Sequence, residues 1–218
     1  MVLRTLFAFV VLPCCMCRYT ITATQPLKIN ETLLSKGNNF ELGFFNPGNS
    51  TNWYIGIHYA KLPEKTIVWV LNRDDPINDT SGVILTVDEL GNLALYGHSN
   101  MKIPVWSTNI SNKATDSGGS TISAMLLDTG NLVLINNNNG NRLWQSFDYP
   151  TDTFLPGMKL GLNKRTGLKW SLSSWKTGYD PGTGEYSYKI DLAGMFFFYL
   201  FFLFRYALFL LLIILAKI

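Results

Sequence analysis

Cysteine is nearly missing from this chain: there are three in 218 residues, Cys14, Cys15 and Cys17. Once that N-terminal stretch is cleaved away, nothing remains for a disulfide, a thiol nucleophile or a cysteine-ligated zinc. Histidine is equally scarce, with only His58 and His98, and their separation offers no H-x-x-x-H metal pair. Charge of one sign is lacking too. Eighteen Lys and Arg stand against 15 Asp and Glu, a net charge of +3, which excludes a nucleic-acid binder acting through a basic field and excludes an acidic tail. Charged residues make up 15% of the chain, against roughly 25% in an average soluble protein. The shortfall sits at the ends: setting aside Arg4, Arg205 and Lys217, residues 18–194 carry 15 basic and 15 acidic side chains. No catalytic loop or metal-binding motif of a protein kinase follows a Gly-rich loop, which excludes that activity for these residues.

The two ends are apolar. Residues 1–17 read MVLRTLFAFVVLPCCMC, one basic residue before an apolar run, with Cys15 and Cys17 at the −3 and −1 spacing of a cleavage site. This layout predicts a secretory signal peptide, a retained anchor being the alternative. The sequons Asn30, Asn49, Asn78 and Asn109 lack proline at the middle position and fit N-glycosylated surface segments on a secreted-pathway protein. At the other end, 21 residues from Phe196 to Ala216 hold one charge, Arg205. Sixteen Phe, Leu and Ile residues there at about −0.3 to −0.6 kcal/mol each outweigh roughly +3 kcal/mol for a central Arg. The expectation is a transmembrane helix over 195–216, leaving only Lys217 and Ile218 beyond it. A glycolipid-anchor signal near Gly182–Gly184, or a translated intron, would also account for the tail.

Between the ends, short apolar stretches alternate with Gly, Asn, Asp and Pro. Residues 40–45, 54–59, 66–71, 83–87, 92–96, 123–127 and 131–135 read as strands. No 3.6-residue apolar period persists for three turns before the tail, so the class is all-β. A repeat is visible. Residues 91–96, GNLALY, match residues 130–135, GNLVLI, at an offset of 39, and Trp69, Trp106 and Trp144 follow one another at 37 and 38 residues. Three units of about 38 residues predict one supersecondary unit used three times. Too few for a propeller, they fit three small sheets closed around a pseudo-threefold axis, with the tryptophans filling a shared core.

The motifs that carry this pattern resemble the bulb-type (monocot mannose-binding) lectin domain, as found in plant S-domain receptor-like kinases and S-locus glycoproteins. The resembling stretches are ITATQPL at 21–27, SKGNNFELGFFNPG at 35–48, WYIGIHY at 53–59, IVWVLNRDDPI at 67–77, LLDTGNLVL at 126–134 and LWQSFDYPTDTFLPGMKLG at 143–161. SSWKTGYDPGTGEYSY at 173–188 looks like the opening of the S-locus glycoprotein region. The resemblance implies a β-prism of three four-stranded sheets, divided as a signal peptide over 1–17, a lectin domain over 18–150, a partial S-locus domain over 151–194 and the transmembrane helix. The resemblance stops after Ala193, so the expectation is a chain truncated before the family's cysteine-rich modules and kinase domain.

The family's mannose site is Q-x-D-x-N-x-V-x-Y, in which carboxylate, amide and phenol groups bond sugar hydroxyls while valine packs on a ring carbon. The second unit offers Asp88, Leu90, Asn92, Ala94 and Tyr96, so Asn92 and Tyr96 match and Asp88 stands in for glutamine. The third offers Leu127, Thr129, Asn131, Val133 and Ile135, with Asp128 displaced by one. The first unit, around Phe40–Phe45, shows no motif. The resemblance therefore implies carbohydrate-binding residues Asp88, Asn92, Tyr96, Asp128, Asn131 and Val133, the alternative for Asn92 and Asn131 being turn and strand-end hydrogen bonding. Carboxylate pairs for glycoside hydrolysis are poorly placed: Asp74/Asp75 and Asp88/Glu89 are adjacent and point to opposite faces if extended, and Asp148/Asp152 sit in a Pro-containing turn.

The expectation is a non-enzymatic, cofactor-free recognition domain facing outside at the plasma membrane. Its partners would be a mannose-type glycan, the ectodomains of related receptor kinases and, through the C-terminal helix, the membrane. The alternative is a protein-interaction or decoy ectodomain, or a remnant, that has lost sugar binding.

Overall fold

The computed structural model describes residues 18–48, 50–97, 103–110, 121–190 and 196–199. The expected signal peptide over 1–17, together with Asn49 and His98, lies outside them.

Three antiparallel sheets form the body. The first runs β2 (Thr32–Leu34), β3 (Phe40–Phe45), β4 (Tyr54–Tyr59), β5 (Ile67–Val70). The second runs β1 (Leu27–Lys28), β6 (Ile84–Val87), β7 (Leu93–Tyr96), β8 (Trp106–Ser107). The third is β11 (Arg142–Gln145), β10 (Leu132–Asn136), β9 (Ile122–Leu126). Ile21 adds a fourth edge to it, exchanging two backbone bonds of 2.9 Å with Ala124. The segment before β2 thus lends strands to the second and third sheets and ties all three together.

The tryptophan period becomes register. Trp69 lies opposite Ile57, Trp106 opposite Leu95 and Trp144 opposite Leu134. Two residues before each partner, Ile55, Leu93 and Leu132 point the same way, and all six aliphatic side chains are fully buried. Period two along β4, β7 and β10 therefore builds one core at the axis. Burying each such side chain stabilises by about 1.5–3 kcal/mol. The tryptophans meet there edge to face, Trp144 at 6.2 Å from Trp69 and 5.7 Å from Trp106. The hairpins into β7 and β10 turn on Gly91 and Gly130, both at positive φ (82° and 83°). At Gly130 a Cβ would also come within 2.8 Å of Leu155 and 3.0 Å of Phe40.

Two further pieces follow: a small ribbon, β12 (Gly161–Leu162) with β13 (Lys169–Trp170), and a long hairpin, β14 (Leu172–Thr177) with β15 (Asp180–Ile190). Arg73 and Asp74 of the first unit hold this hairpin. The Arg73 guanidinium donates to the carbonyls of Pro181 (2.9 Å), Ser174 (2.8 Å), Ser173 (3.3 Å) and Gly182 (3.4 Å). Asp74 accepts from the Thr183 amide at 2.7 Å and its hydroxyl at 2.8 Å.

The membrane helix expected over 195–216 is corrected where its residues are described. Phe196–Tyr199 is a strand, β16, paired antiparallel with β15 from Ile190↔Phe196 to Ser187↔Tyr199. Among the described residues no helix is long and apolar enough to cross a membrane. Phe and Tyr suit an extended backbone, and the edge of β15 offers a row of backbone groups for such a run to pair with. Residues 200–218 lie outside the described residues.

Candidate functional site

In the second unit the structure brings Asp88 and Asn92 together across the β6–β7 hairpin. The Asp88 carboxylate accepts from the Asn92 amide N–H at 2.8 Å and from Asn92 Nδ2 at 3.2 Å. Asn92 Oδ1 in turn accepts from the backbone of Ile110 at 2.6 Å, and the residue is 4% exposed. Both amide atoms of Asn92 therefore serve the fold. Strand alternation puts Ala94 and Tyr96 on the same face. Tyr96 is half-buried, and burial pushes its phenol above the ordinary value, the negative charges of Asp88 and Glu89 adding to the effect. Leu90 is exposed at the hairpin tip.

In the third unit Asn131 is equally engaged. Its Nδ2 donates to Gln145 Oε1 at 3.1 Å, while its Oδ1 accepts from Ser146 Oγ (3.2 Å) and the Phe147 amide (3.3 Å). Val133 shares its face, lies opposite Gln145 and is fully buried. Asp128 reaches elsewhere: its Oδ1 accepts from the Gly37 amide at 2.7 Å. A hydrogen bond from Ser35 and the one from Gly37 hold this exposed carboxyl below the usual range, with Lys61 and Lys36 helping. It bridges the hairpin of the third unit to a turn of the first, 91 residues away in sequence.

The register also explains why the first unit shows no motif. Asn92 and Asn131 each stand three residues before the partner of a tryptophan, and Tyr54 holds that place in the first unit. Each unit secures the following residue's amide with a side-chain oxygen. Asn72 does so for Ile55 (2.9 Å), Thr108 for Leu93 (3.1 Å) and Ser146 for Leu132 (2.9 Å).

Sequence reasoning missed two residues beside Asn131. Gln145 is half-buried, and exposed Arg142 donates to its Oε1 at 2.6 Å. The only signal was their position in RLWQS, where strand alternation places Gln145 beside Trp144 but facing away from the core. Asn30, Asn78 and Asn109 are exposed. His58 is buried, with Nε2 3.8 Å from Glu41 Oε2. Among the described residues no group of three or more His, Cys, Asp or Glu is placed to hold a metal.

The model of the family described as D-mannose binding lectin matches residues 66–176, half of the chain. The chain belongs to the D-mannose binding lectin family. It is similar to a G-type lectin S-receptor-like serine/threonine-protein kinase of Arabidopsis thaliana, 44% identical over 193 residues, covering 88% of this chain and 23% of that protein. It is also similar to an S-locus-specific glycoprotein of Brassica oleracea, 46% identical over 186 residues, covering 83% of this chain and 41% of the relative. This lectin-family chain thus spans 23% and 41% of the length of these two relatives. Among solved structures, monomeric monocot mannose-binding lectins from Gastrodia elata overlay 58% of this chain and 93% of theirs, at 18% identity and a TM-score of 0.41.

Proposed function

We propose that this lectin-family chain is an extracellular recognition module for mannose-type glycans, delivered through the secretory pathway and performing no chemistry on its ligand. The division into a lectin domain over 18–150 and the beginning of an S-locus-type region over 151–194 belongs to the same reading. The row of Asp88, Asn92 and Tyr96 along one face of the second sheet supports it. Each carboxylate oxygen of Asp88 has two lone pairs and accepts one bond from Asn92, so acceptor capacity remains for a sugar hydroxyl. The half-buried Tyr96 phenol adds a donor and acceptor, and Ala94 lies between them. In the third unit Asn131 and Val133, with Gln145 and Arg142 alongside, form the weaker counterpart, and Asp128 acts as its scaffold.

A second reading is favoured by a specific observation: both asparagines of the motif have their amide atoms engaged inside the protein. On that reading the same faces meet a protein partner, such as the ectodomain of a related receptor kinase.

The full chain, made in a eukaryotic secretory host, is applied to a panel of mannose-rich and mixed glycans. Saturable binding that weakens about tenfold on Tyr96→Phe, the cost of one lost hydroxyl bond, is the expected result. A folded chain that binds nothing on the panel would sink the glycan reading and leave the protein-interaction one.

A further inference from the structure

Where the tryptophans of the three units converge, the molecule has a pocket of about 460 Å³, within the ~300–1,000 Å³ of small-ligand sites. One wall is aromatic: Trp106 and Trp144 line it beside Tyr149, whose ring stacks on Trp144 at 5.5 Å and 14° and is about half exposed. The lining also includes residues with hydroxyl and amide groups, Ser107, Thr108, Asn109 and Thr151. Thr151 is 4% exposed, and its Oγ1 is buried with no hydrogen-bond partner among the described residues. A hydroxyl left so is costly, and turning about the Cα–Cβ bond to meet a ligand polar group would relieve the cost.

The lining fixes the chemistry. Among the described residues no carboxylate borders the pocket, and the one cation there, Arg73, already donates to four backbone carbonyls. A charged ligand therefore has no partner. Aromatic rings together with neutral donors and acceptors suit a ring that is apolar on its faces and hydroxylated around its edge. Asn109 adds a source. It is exposed, lies on the pocket lining, holds a positive φ of 50° and is the acceptor of the sequon Asn-Ile-Ser. A sugar attached to its Nδ2 begins at the pocket.

We propose that this tryptophan-lined pocket holds a neutral pyranose ring, presented either by an N-glycan on Asn109 or by a free saccharide. The pocket is separate from the strand faces discussed above and does not depend on them. Three of the chain's six tryptophans line it, so intrinsic fluorescence reports its occupancy.

The full chain is made in yeast, alongside Asn109→Gln. If the source is the attached glycan, Asn109 is occupied by mass spectrometry and emission is shifted relative to Asn109→Gln. Trimming to a single N-acetylglucosamine with endoglycosidase H preserves that shift. If the source is free, the Asn109→Gln chain responds saturably to methyl α-mannoside or N,N′-diacetylchitobiose. The response then weakens about tenfold in an added Thr151→Val, the loss of one hydroxyl bond, and recovers with Thr151→Ser. Two results overturn the proposal. One is identical emission with and without the Asn109 glycan, combined with no saturable response up to about 10 mM, ten times a millimolar Kd. The other is saccharide binding that Tyr96→Phe abolishes and Thr151→Val leaves unchanged, which assigns the sugar to the strand face instead.

Discussion

Replacing Arg73 by methionine keeps the aliphatic stem and removes the guanidinium donors that the first unit gives to the β14–β15 hairpin, leaving the bonds from Thr183 to Asp74 in place. The native guanidinium reaches four carbonyls, at 2.8 to 3.4 Å, on both strands of that hairpin. Hydrogen bonds from a charged donor are worth about 1.5–3 kcal/mol each, but these share one group and do not add. Burial also has a cost: it pushes the Arg73 pKa down, against the favourable pull of Asp152 and Asp74. Methionine removes that cost along with the bonds, so the net loss is about 2–4 kcal/mol, confined to the hairpin. Local opening should become roughly 30- to 700-fold easier, at 1.4 kcal/mol per factor of ten. Hydrogen exchange read by mass spectrometry resolves this, comparing peptides from 172–190 with peptides from 84–96. The hairpin should lose protection while β6 and β7 keep theirs. Equal loss in both regions, or none in the hairpin, would refute the clamp.

Asn131→Ala strips the acceptor from Ser146 Oγ and the Phe147 amide and the donor from Gln145. At a site 4% exposed this should cost about 2–3 kcal/mol in urea unfolding, and a cost below about 0.5 kcal/mol, the range of neutral surface changes, would show the network to be dispensable. Trp69→Phe deletes the indole bond to the Tyr149 carbonyl (2.7 Å) and the edge contact with Trp144. A loss of about 2–4 kcal/mol is expected in the same assay, and an unchanged midpoint would contradict the axial role of the indole. The Asp128 carboxyl is held below the usual range by Ser35 and Gly37, so the stability it contributes is present above the ordinary carboxylate pKa and disappears as pH falls through the lowered folded value. Thermal melts between about pH 5 and pH 2 should show a steeper acid loss for the native chain than for Asp128→Asn, and parallel curves would refute the linkage.

Much of the fold was legible because it repeats. Tryptophans 37 and 38 residues apart land opposite the same core position in each sheet, and the GNL hairpins become equivalent turns on Gly91 and Gly130. The two-residue strand β1 and the single bridge at Ile21 were not legible. Their pairing partners, Leu85 and Ala124, lie 58 and 103 positions along the chain, and so short a pairing leaves no periodic trace. The aromatic run after residue 195 misled for a related reason. An uninterrupted apolar stretch has no period, so length and transfer energy favoured a membrane helix. What decides the state of Phe196–Tyr199 is an available neighbour, the outer edge of β15, which no local composition reveals.

The site was legible as residue types at a spacing, and not as what those residues touch. Asn92 and Asn131 match the lectin pattern, but in both units the asparagine sits where a hairpin must be sealed, its amide donating within the hairpin or sheet and its carbonyl accepting a backbone N–H from beyond the tryptophan strand. Replacing Asn92 by alanine would therefore remove its side-chain bond to Asp88 and the acceptor for the Ile110 amide while keeping the backbone bond to Asp88, and a resulting loss of sugar binding would not distinguish a contact from a scaffold. Tyr96 lies on the same face with no role in sealing the hairpin, and Phe at that position keeps its packing. The discriminating substitution for this face is accordingly the one that removes a single oxygen, because only there do the demands of folding and of recognition fall on different atoms.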